Sequence, residues 1–280
     1  MKHHIHPCLW FDGNAKEAAA FYCSAFENAT ITTDTPMVVK FRVNDESFML
    51  LNGGPQFQLN PSISFSVVCE TEEEINHLFA KLSANGKILM PLDQYPWSER
   101  YAFLQDKYGT AWQLIKGKYS DVNQKITPCL LFVGNSFKKA EAAMKFYVEV
   151  FPQSAIEGIL LYPAESGEAA GAVQHAQFTL DDKVFMVMDG YGEHSFAFNE
   201  AVSFVIECET QDEIDFYWNS LTSDGGEESM CGWLKDKFGV SWQIIPKKLS
   251  QLMTDAERSG RVMQALLKMK KPDIATLEAA

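Results

Sequence analysis

The 280-residue chain contains no apolar run approaching the ~18 residues that a membrane-spanning helix needs. It also lacks a basic excess: 24 Lys and Arg stand against 37 Asp and Glu, for a formal net charge of −13. Nucleic acid and anionic membrane surfaces require a positive face, so neither is an expected partner. No C-x-x-C pair occurs among Cys8, Cys23, Cys69, Cys129, Cys208 and Cys231. Their apolar neighbours predict free, buried thiols in a reducing cytoplasm. Met1-Lys2-His3-His4 leads straight into a strand pattern, so no secretory leader is expected. There is no G-x-G-x-x-G turn, and Asn52-Gly53-Gly54-Pro55 has proline where a phosphate-binding helix would have to start. S-adenosylmethionine chemistry on a Rossmann-type sheet therefore has no support in the residues.

What is present is a duplication. Ile5-His6-Pro7-Cys8-Leu9-Trp10-Phe11 returns as Ile126-Thr127-Pro128-Cys129-Leu130-Leu131-Phe132, identical at five of seven positions. Phe21-Tyr22 matches Phe146-Tyr147, and Ser64-Phe65 through Cys69-Glu70-Thr71 matches Ser203-Phe204 through Cys208-Glu209-Thr210. Asp106-Lys107-Tyr108-Gly109-Thr110-Ala111-Trp112-Gln113 matches Asp236-Lys237-Phe238-Gly239-Val240-Ser241-Trp242-Gln243. Blocks recurring in one order mark two tandem repeats. The expected layout is a domain over 1–120, a second over 121–250 and a helical tail over 251–280.

Within the first repeat, Ile5–Phe11 reads as a buried strand bounded by Asp12-Gly13. Asn14 is the expected N-cap of a helix whose apolar face is Ala18, Phe21, Tyr22, Ala25 and Phe26. Strands follow around Ala29–Thr33, Met37–Val43 and Ser47–Leu51. A second strand, Ser62–Cys69, leads to a helix opened by the capping box Thr71-Glu72-Glu73-Glu74, mirrored at Thr210-Gln211-Asp212-Glu213. Asn85-Gly86 closes that helix, and three more strands end at Ala111–Ile115. Each repeat is thus βαβββ twice, an α+β fold. Beyond Pro246, Asp255–Lys270 reads as an amphipathic helix with Val262, Ala265, Leu266 and Met269 on one face.

Paired βαβββ units with a strand-Asp-Gly-Asn-helix-Phe-Tyr opening resemble the vicinal-oxygen-chelate (glyoxalase-like) superfamily. Pro7-Cys8-Leu9-Trp10-Phe11-Asp12-Gly13-Asn14, the two Asp-Lys-aromatic-Gly-x-x-Trp-Gln segments and the tail Met263–Ile274 are similar to its PhnB-like branch, often catalogued as 3-demethylubiquinone-9 3-methyltransferase-like. The resemblance implies strands curled into a mixed-sheet cup with a small-molecule ligand. It also implies association, as a homodimer or as an internal pseudo-dimer of the repeats. In the superfamily's enzymes a divalent metal sits at the cup base, which makes a metal-dependent lyase, isomerase or dioxygenase the alternative reading. Carried onto this chain, the metal positions fall beside Pro7 and Pro128, within Phe48-Met49-Leu50 and Phe185-Met186-Val187, near Ser64 and Ser203, and on Gln113 and Gln243. Fewer than the three protein ligands of a catalytic site survive, so no metal ligand is assigned.

His175 is the candidate catalytic residue. Period-two alternation places it on one strand face with Gln177 and Thr179, and its repeat counterpart is Val38. The resemblance implies that this face lines the cup. Gln177, Gln243, Trp242, Gln113 and Trp112 are the candidate ligand-binding residues; within each Trp-Gln pair only one side chain can face inward. Of the two cups, the one holding His175, Gln177 and Gln243 is the expected active one. His3, His4 and His6 read as a solvated strand start rather than a metal cluster.

Overall fold

A computed structural model describes residues 4–255 and 257–280. The first repeat runs β1 (His4–Phe11), α1 (Ala15–Ala25), β2 (Ala29–Asp34), β3 (Val38–Val43) and β4 (Glu46–Asn52). It continues with β5 (Ile63–Cys69), α2 (Glu72–Leu82), β6 (Lys87–Tyr95), β7 (Ser98–Gln105) and β8 (Ala111–Lys116). The second repeats the order: β9 (Ile126–Phe132), α3 (Ala140–Val150), β10 (Ala155–Leu161), β11 (Val173–Leu180) and β12 (Lys183–Asp189). Then come β13 (Val202–Cys208), α4 (Gln211–Thr222), β14 (Glu227–Glu228), β15 (Trp233–Lys235) and β16 (Ser241–Pro246). The expected βαβββ order therefore occurs four times.

The chain divides into two compact units, Pro7–Val202 and Ser203–Ala280 with the N-terminal residues up to His6. The larger unit holds an eight-stranded mixed sheet in the order β10-β11-β12-β9-β5-β8-β7-β6. At its centre β5 runs antiparallel to β9, with Ser64 opposite Cys129 and Ser66 opposite Thr127. This sheet therefore joins the second unit of the first repeat to the first unit of the second. The same compact unit contains the ladder β1-β4-β3-β2, and the smaller one contains β14-β15-β16-β13.

Helix formation follows local chemistry. Thr71 Oγ1 accepts the Glu74 N–H at 3.1 Å, and Thr210 Oγ1 accepts that of Glu213 at 3.2 Å, as the capping boxes require. Asn14 precedes α1 but makes no side-chain cap bond. Instead Asn52 Oδ1, at the end of β4, accepts the Ala15 N–H at 3.0 Å. A tertiary partner has taken the position that local sequence assigned to Asn14. The buried faces are small and aromatic: Ala15, Ala18, Ala19, Tyr22 and Ala25 on α1, and Ala140, Ala143, Met144, Tyr147 and Val150 on α3. Tyr22 stacks on Phe41 of β3 at 5.4 Å, and Tyr147 on Phe178 of β11 at 6.4 Å. Each such ring buried contributes about 1.5–3 kcal/mol relative to exposure.

The loop after β4 needs its glycine. A Cβ on Gly53 would lie 2.1 Å from the Trp10 ring, whose indole N–H donates to the Gly54 carbonyl at 2.7 Å. All six cysteines are free; Cys8, Cys69, Cys129 and Cys208 are buried, Cys23 and Cys231 half-buried. His6 is buried rather than solvated, and His3 lies outside the described residues. No helix among the described residues is long and apolar enough to cross a membrane.

The tail departs from expectation. In place of one helix over 255–270 there are α5 (Leu249–Leu252), α6 (Ser259–Leu266) and α7 (Ile274–Ala279). The chain leaves helical geometry after Leu266 because Met269 and Lys270 present their carbonyls to the Cys231 and Gly232 N–H groups, both at 2.8 Å. Val262, Leu266 and Leu277 form a small core of their own.

Candidate functional site

Helices cover one face of the eight-stranded sheet. Phe178 and Trp112 point into that layer, Phe178 against Tyr147 and Trp112 against Tyr22 and Phe26. Alternation along each strand then puts their neighbours on the opposite, helix-free face. There the register lines up a row across strands of both repeats: Gln177 opposite Met186, Met186 opposite Cys129, Cys129 opposite Ser64. Ser66 is paired with Gln113, and Gln113 with Phe103.

Around Ser64, polar groups from adjacent rows bond to one another. Tyr101 Oη donates to Gln113 Oε1 at 2.9 Å, and Gln113 Nε2 donates to Ser64 Oγ at 2.8 Å. Burial pushes the Cys129 thiol up to about 12, against a smaller lowering influence of the neighbouring Gln113 and Ser64. Burial likewise raises the Tyr101 phenol well above its ordinary value. Thr127, on the same face of β9, has a buried hydroxyl with no hydrogen-bond partner. Above Tyr101, Tyr95 and Trp97 stack on each other at 5.1 Å and meet its ring edge-on at 5.6 and 5.7 Å. Trp97 is 55% exposed, so this aromatic group reaches from the sheet to solvent.

The sequence-derived candidates separate. His175, Gln177 and Gln113 share the helix-free face of one sheet; Gln243 lies on β16 in the smaller unit, where it repeats the pattern by donating to Ser203 Oγ at 2.9 Å. The grouping expected for one cup, His175 and Gln177 with Gln243, is thus replaced by His175 and Gln177 with Gln113. The cause is the β5–β9 pairing, which no local pattern encodes. His175 is half-buried without a hydrogen-bond partner among the described residues, and desolvation holds its imidazole below the usual 6.5. Gln177 donates to Glu157 on β10.

Trp112 and Trp242 are fully buried, on the strand faces opposite Gln113 and Gln243. Asp106 Oδ1 accepts the Tyr108 and Thr110 N–H groups at 2.8 and 3.1 Å, and Oδ2 accepts the Trp112 indole at 2.8 Å. Asp236 does the same for Phe238, Val240 and Trp242, at 2.8, 3.1 and 2.8 Å. The repeated Asp-Lys-aromatic-Gly-x-x-Trp-Gln segment is therefore a strand-entry turn whose Trp is structural and whose Gln faces the opposite way.

Sequence reasoning missed Tyr101, Cys129, Tyr95 and Trp97. Tyr95-Pro96-Trp97, two aromatics around a proline between strands, was the available signal for the last pair. Among the described residues no group of three or more His, Cys, Asp or Glu is placed to hold a metal ion. A separate cleft of about 520 Å³ opens beside Trp10, Asn14, Phe57, Lys87, Lys107 and Tyr108. None of the sequence-derived candidates lines it.

Comparison with known proteins bears on this arrangement. The family model described as 3-demethylubiquinone-9 3-methyltransferase matches twice, over residues 3–115 and 124–245. A putative 3-demethylubiquinone-9 3-methyltransferase, PhnB protein, from Bacillus cereus is 37% identical over 40% of this chain and 98% of its own, with a TM-score of 0.38. A protein from Staphylococcus aureus is 30% identical over 41% of this chain and 96% of its own, with a TM-score of 0.20. A glyoxalase I mutant from Zea mays is 14% identical but spans 88% of this chain and 95% of its own at a TM-score of 0.61, which establishes the fold. No curated protein matches. With both repeats matched, the chain belongs to the family described as 3-demethylubiquinone-9 3-methyltransferase, and its four βαβββ units have the glyoxalase I fold.

Proposed function

We propose that the chain binds a small organic molecule on the helix-free face of the eight-stranded sheet, with Tyr101, Gln113, Ser64 and Thr127 as its floor and His175 on the same face farther out, on β11. The observation that carries this reading is the convergence of β5, β7, β8 and β9 on one buried hydrogen-bonded cluster that leaves the Thr127 hydroxyl without a partner. An orphaned buried hydroxyl costs stability unless something bonds it, and a ligand oxygen meets that need. Tyr95 and Trp97 supply stacking surface at the opening. His175, held neutral by burial, is the group on that face that could hydrogen-bond a ligand reaching β11 or act as a base toward it.

The superfamily's divalent metal does not fit these residues. The positions at the sheet centre are Ser64, Gln113, Cys129 and Met186: a hydroxyl, an amide committed to two neighbours, a thiol held protonated and a thioether. A divalent cation at such a site asks for three anionic or imidazole ligands. The methyltransferase in the family's description finds no nucleotide-binding turn here either: β1 leads to α1 through Asp12-Gly13-Asn14, without the glycine spacing that cradles phosphates.

The test is titration of the full chain with a panel of aromatic compounds, read by tryptophan fluorescence and calorimetry. His175→Ala is expected to weaken binding at least several-fold while leaving the unfolding midpoint nearly unchanged. Absence of saturable binding across the panel would count against the reading, and loss of the fold in His175→Ala would make His175 structural.

A further inference from the structure

The binding face carries a second message, which rests on the reading above. On β11, β12, β9, β5 and β8, the side chains that alternate onto the helix-free face include no Asp, Glu, Lys or Arg. They are hydroxyl, amide, thiol, thioether, imidazole and alkyl groups. Charged residues of these strands are turned the other way. Lys116 pairs with Glu72 of α2 at 2.9 Å, and Asp189 accepts N–H groups from Ala140 and Val173. On the outer strand β10, Glu157 is taken up by Gln177, and the same-face charges nearest Tyr101, Glu99 on β7 and Asp93 on β6, are exposed and acidic, so neither offers an anion a counter-charge. The first repeat shows that this neutrality is not imposed by the fold. Its strand β3 puts Lys40 and Arg42 at the positions that Gln177 and Thr179 hold on β11.

We infer that this face selects an uncharged, planar, largely apolar molecule bearing a hydrogen-bonding oxygen. An ionised ligand would lose its water without finding a counter-charge, whereas a ketone or ether loses little and gains the thioether and aromatic contacts. The Thr127 hydroxyl offers the ligand oxygen a donor that no protein group occupies. Burial acts in the same direction, keeping His175, Tyr101 and Cys129 in their neutral forms.

A matched pair of probes tests this on the full chain: 2-acetylnaphthalene, and 2-naphthoate, which replaces the methyl ketone by a carboxylate of similar size. The ketone is expected to bind about tenfold or more tightly than the carboxylate. Met188→Lys sets an ammonium beside Leu131 in the neutral face and is expected to bring the two affinities level or reverse them. If that variant does not fold, Gln113→Leu provides a second readout, since loss of its amide should weaken the ketone by several-fold. Equal or tighter binding of 2-naphthoate by the unaltered chain would overturn the charge selection; if Gln113→Leu weakens both probes, the binding reading survives. Saturable binding of neither probe would remove the binding reading itself. Ketone binding indifferent to both substitutions would place the ligand elsewhere, the 520 Å³ cleft first, and overturn both.

Discussion

The opening units of the two repeats are built alike on one side and differ on the other. In both, a Tyr from the helix stacks on a Phe from the third strand of the unit, Tyr22 on Phe41 and Tyr147 on Phe178. In both, a Cys of the first strand is aligned with a Met of the last, Cys8 with Met49 and Cys129 with Met186. The helix-free face of β3 nevertheless carries Val38, Lys40 and Arg42, whereas that of β11 carries His175, Gln177 and Thr179. After duplication the packed face stayed under the constraint of close packing, and the other was free to acquire chemistry. The second units differ in a further way. Strands β6 and β7 are 9 and 8 residues long, while β14 and β15 are 2 and 3. Tyr101 and its aromatic partners therefore have no counterpart in the smaller unit, where tail residues Met269 and Lys270 bond the chain just before β15.

The largest effect expected of any single change falls where the repeats agree. Asp106→Ala strands three buried donors, the Tyr108 and Thr110 amides and the Trp112 indole, and Asp236→Ala strands their equivalents. Each should cost about 3–5 kcal/mol in urea unfolding, at 1–3 kcal/mol per orphaned group with partial relaxation. A cost confined to one repeat would break the claim that the turn is structural in both. Leu277→Ala comes next, at about 2–4 kcal/mol, because Leu277 is fully buried against Val262 and Leu266. Faster hydrogen exchange at the Cys231 and Gly232 amides should accompany it, since the tail supplies their acceptors. Unchanged exchange would separate the tail's core from its hydrogen bonds. Tyr101→Phe is smaller, about 1 kcal/mol from the lost bond to Gln113, and has no equivalent in the second repeat.

Much of this is legible in the sequence, because the features concerned are local. The capping boxes need four consecutive residues, the Trp-Gln alternation two, and the repeat itself only self-comparison. What escaped depends on partners far along the chain. Asn14 was a good cap by propensity, yet Asn52 arrives from β4 to do the work. His175 was grouped with Gln243 because both lie in the second repeat, but β9 pairs with β5 and brings Gln113 instead. Tyr101 reaches Gln113 diagonally across the β7–β8 pair, whose register no period-two count along a single strand supplies. The Asp106–Trp112 bond is an intermediate case. Its residues are six apart and recur in both repeats, so the pattern was visible while the bond was not.

The finest test of the contrast between the two opening units is titration at His175. Its imidazole is held below the ordinary 6.5 by desolvation, so between that value and the folded one the unfolded chain binds more protons than the native chain. Stability from this residue is therefore fully present above 6.5 and is lost as pH falls through the folded value. His175→Val installs the residue found at the matching position, Val38, and should flatten that part of the profile. Urea midpoints followed from about pH 8 down to about pH 5 would show it as a smaller fall in the variant than in the parent. The same protonation places a positive charge on the binding face, so affinity for a neutral probe should hold down through 6.5 and decline only as pH falls through the lower folded value in the parent. Identical pH profiles for parent and His175→Val would mean that the imidazole is hydrated enough to titrate freely. In that case the neutrality of the face would stop short of β11, and the two repeats would differ there in composition alone.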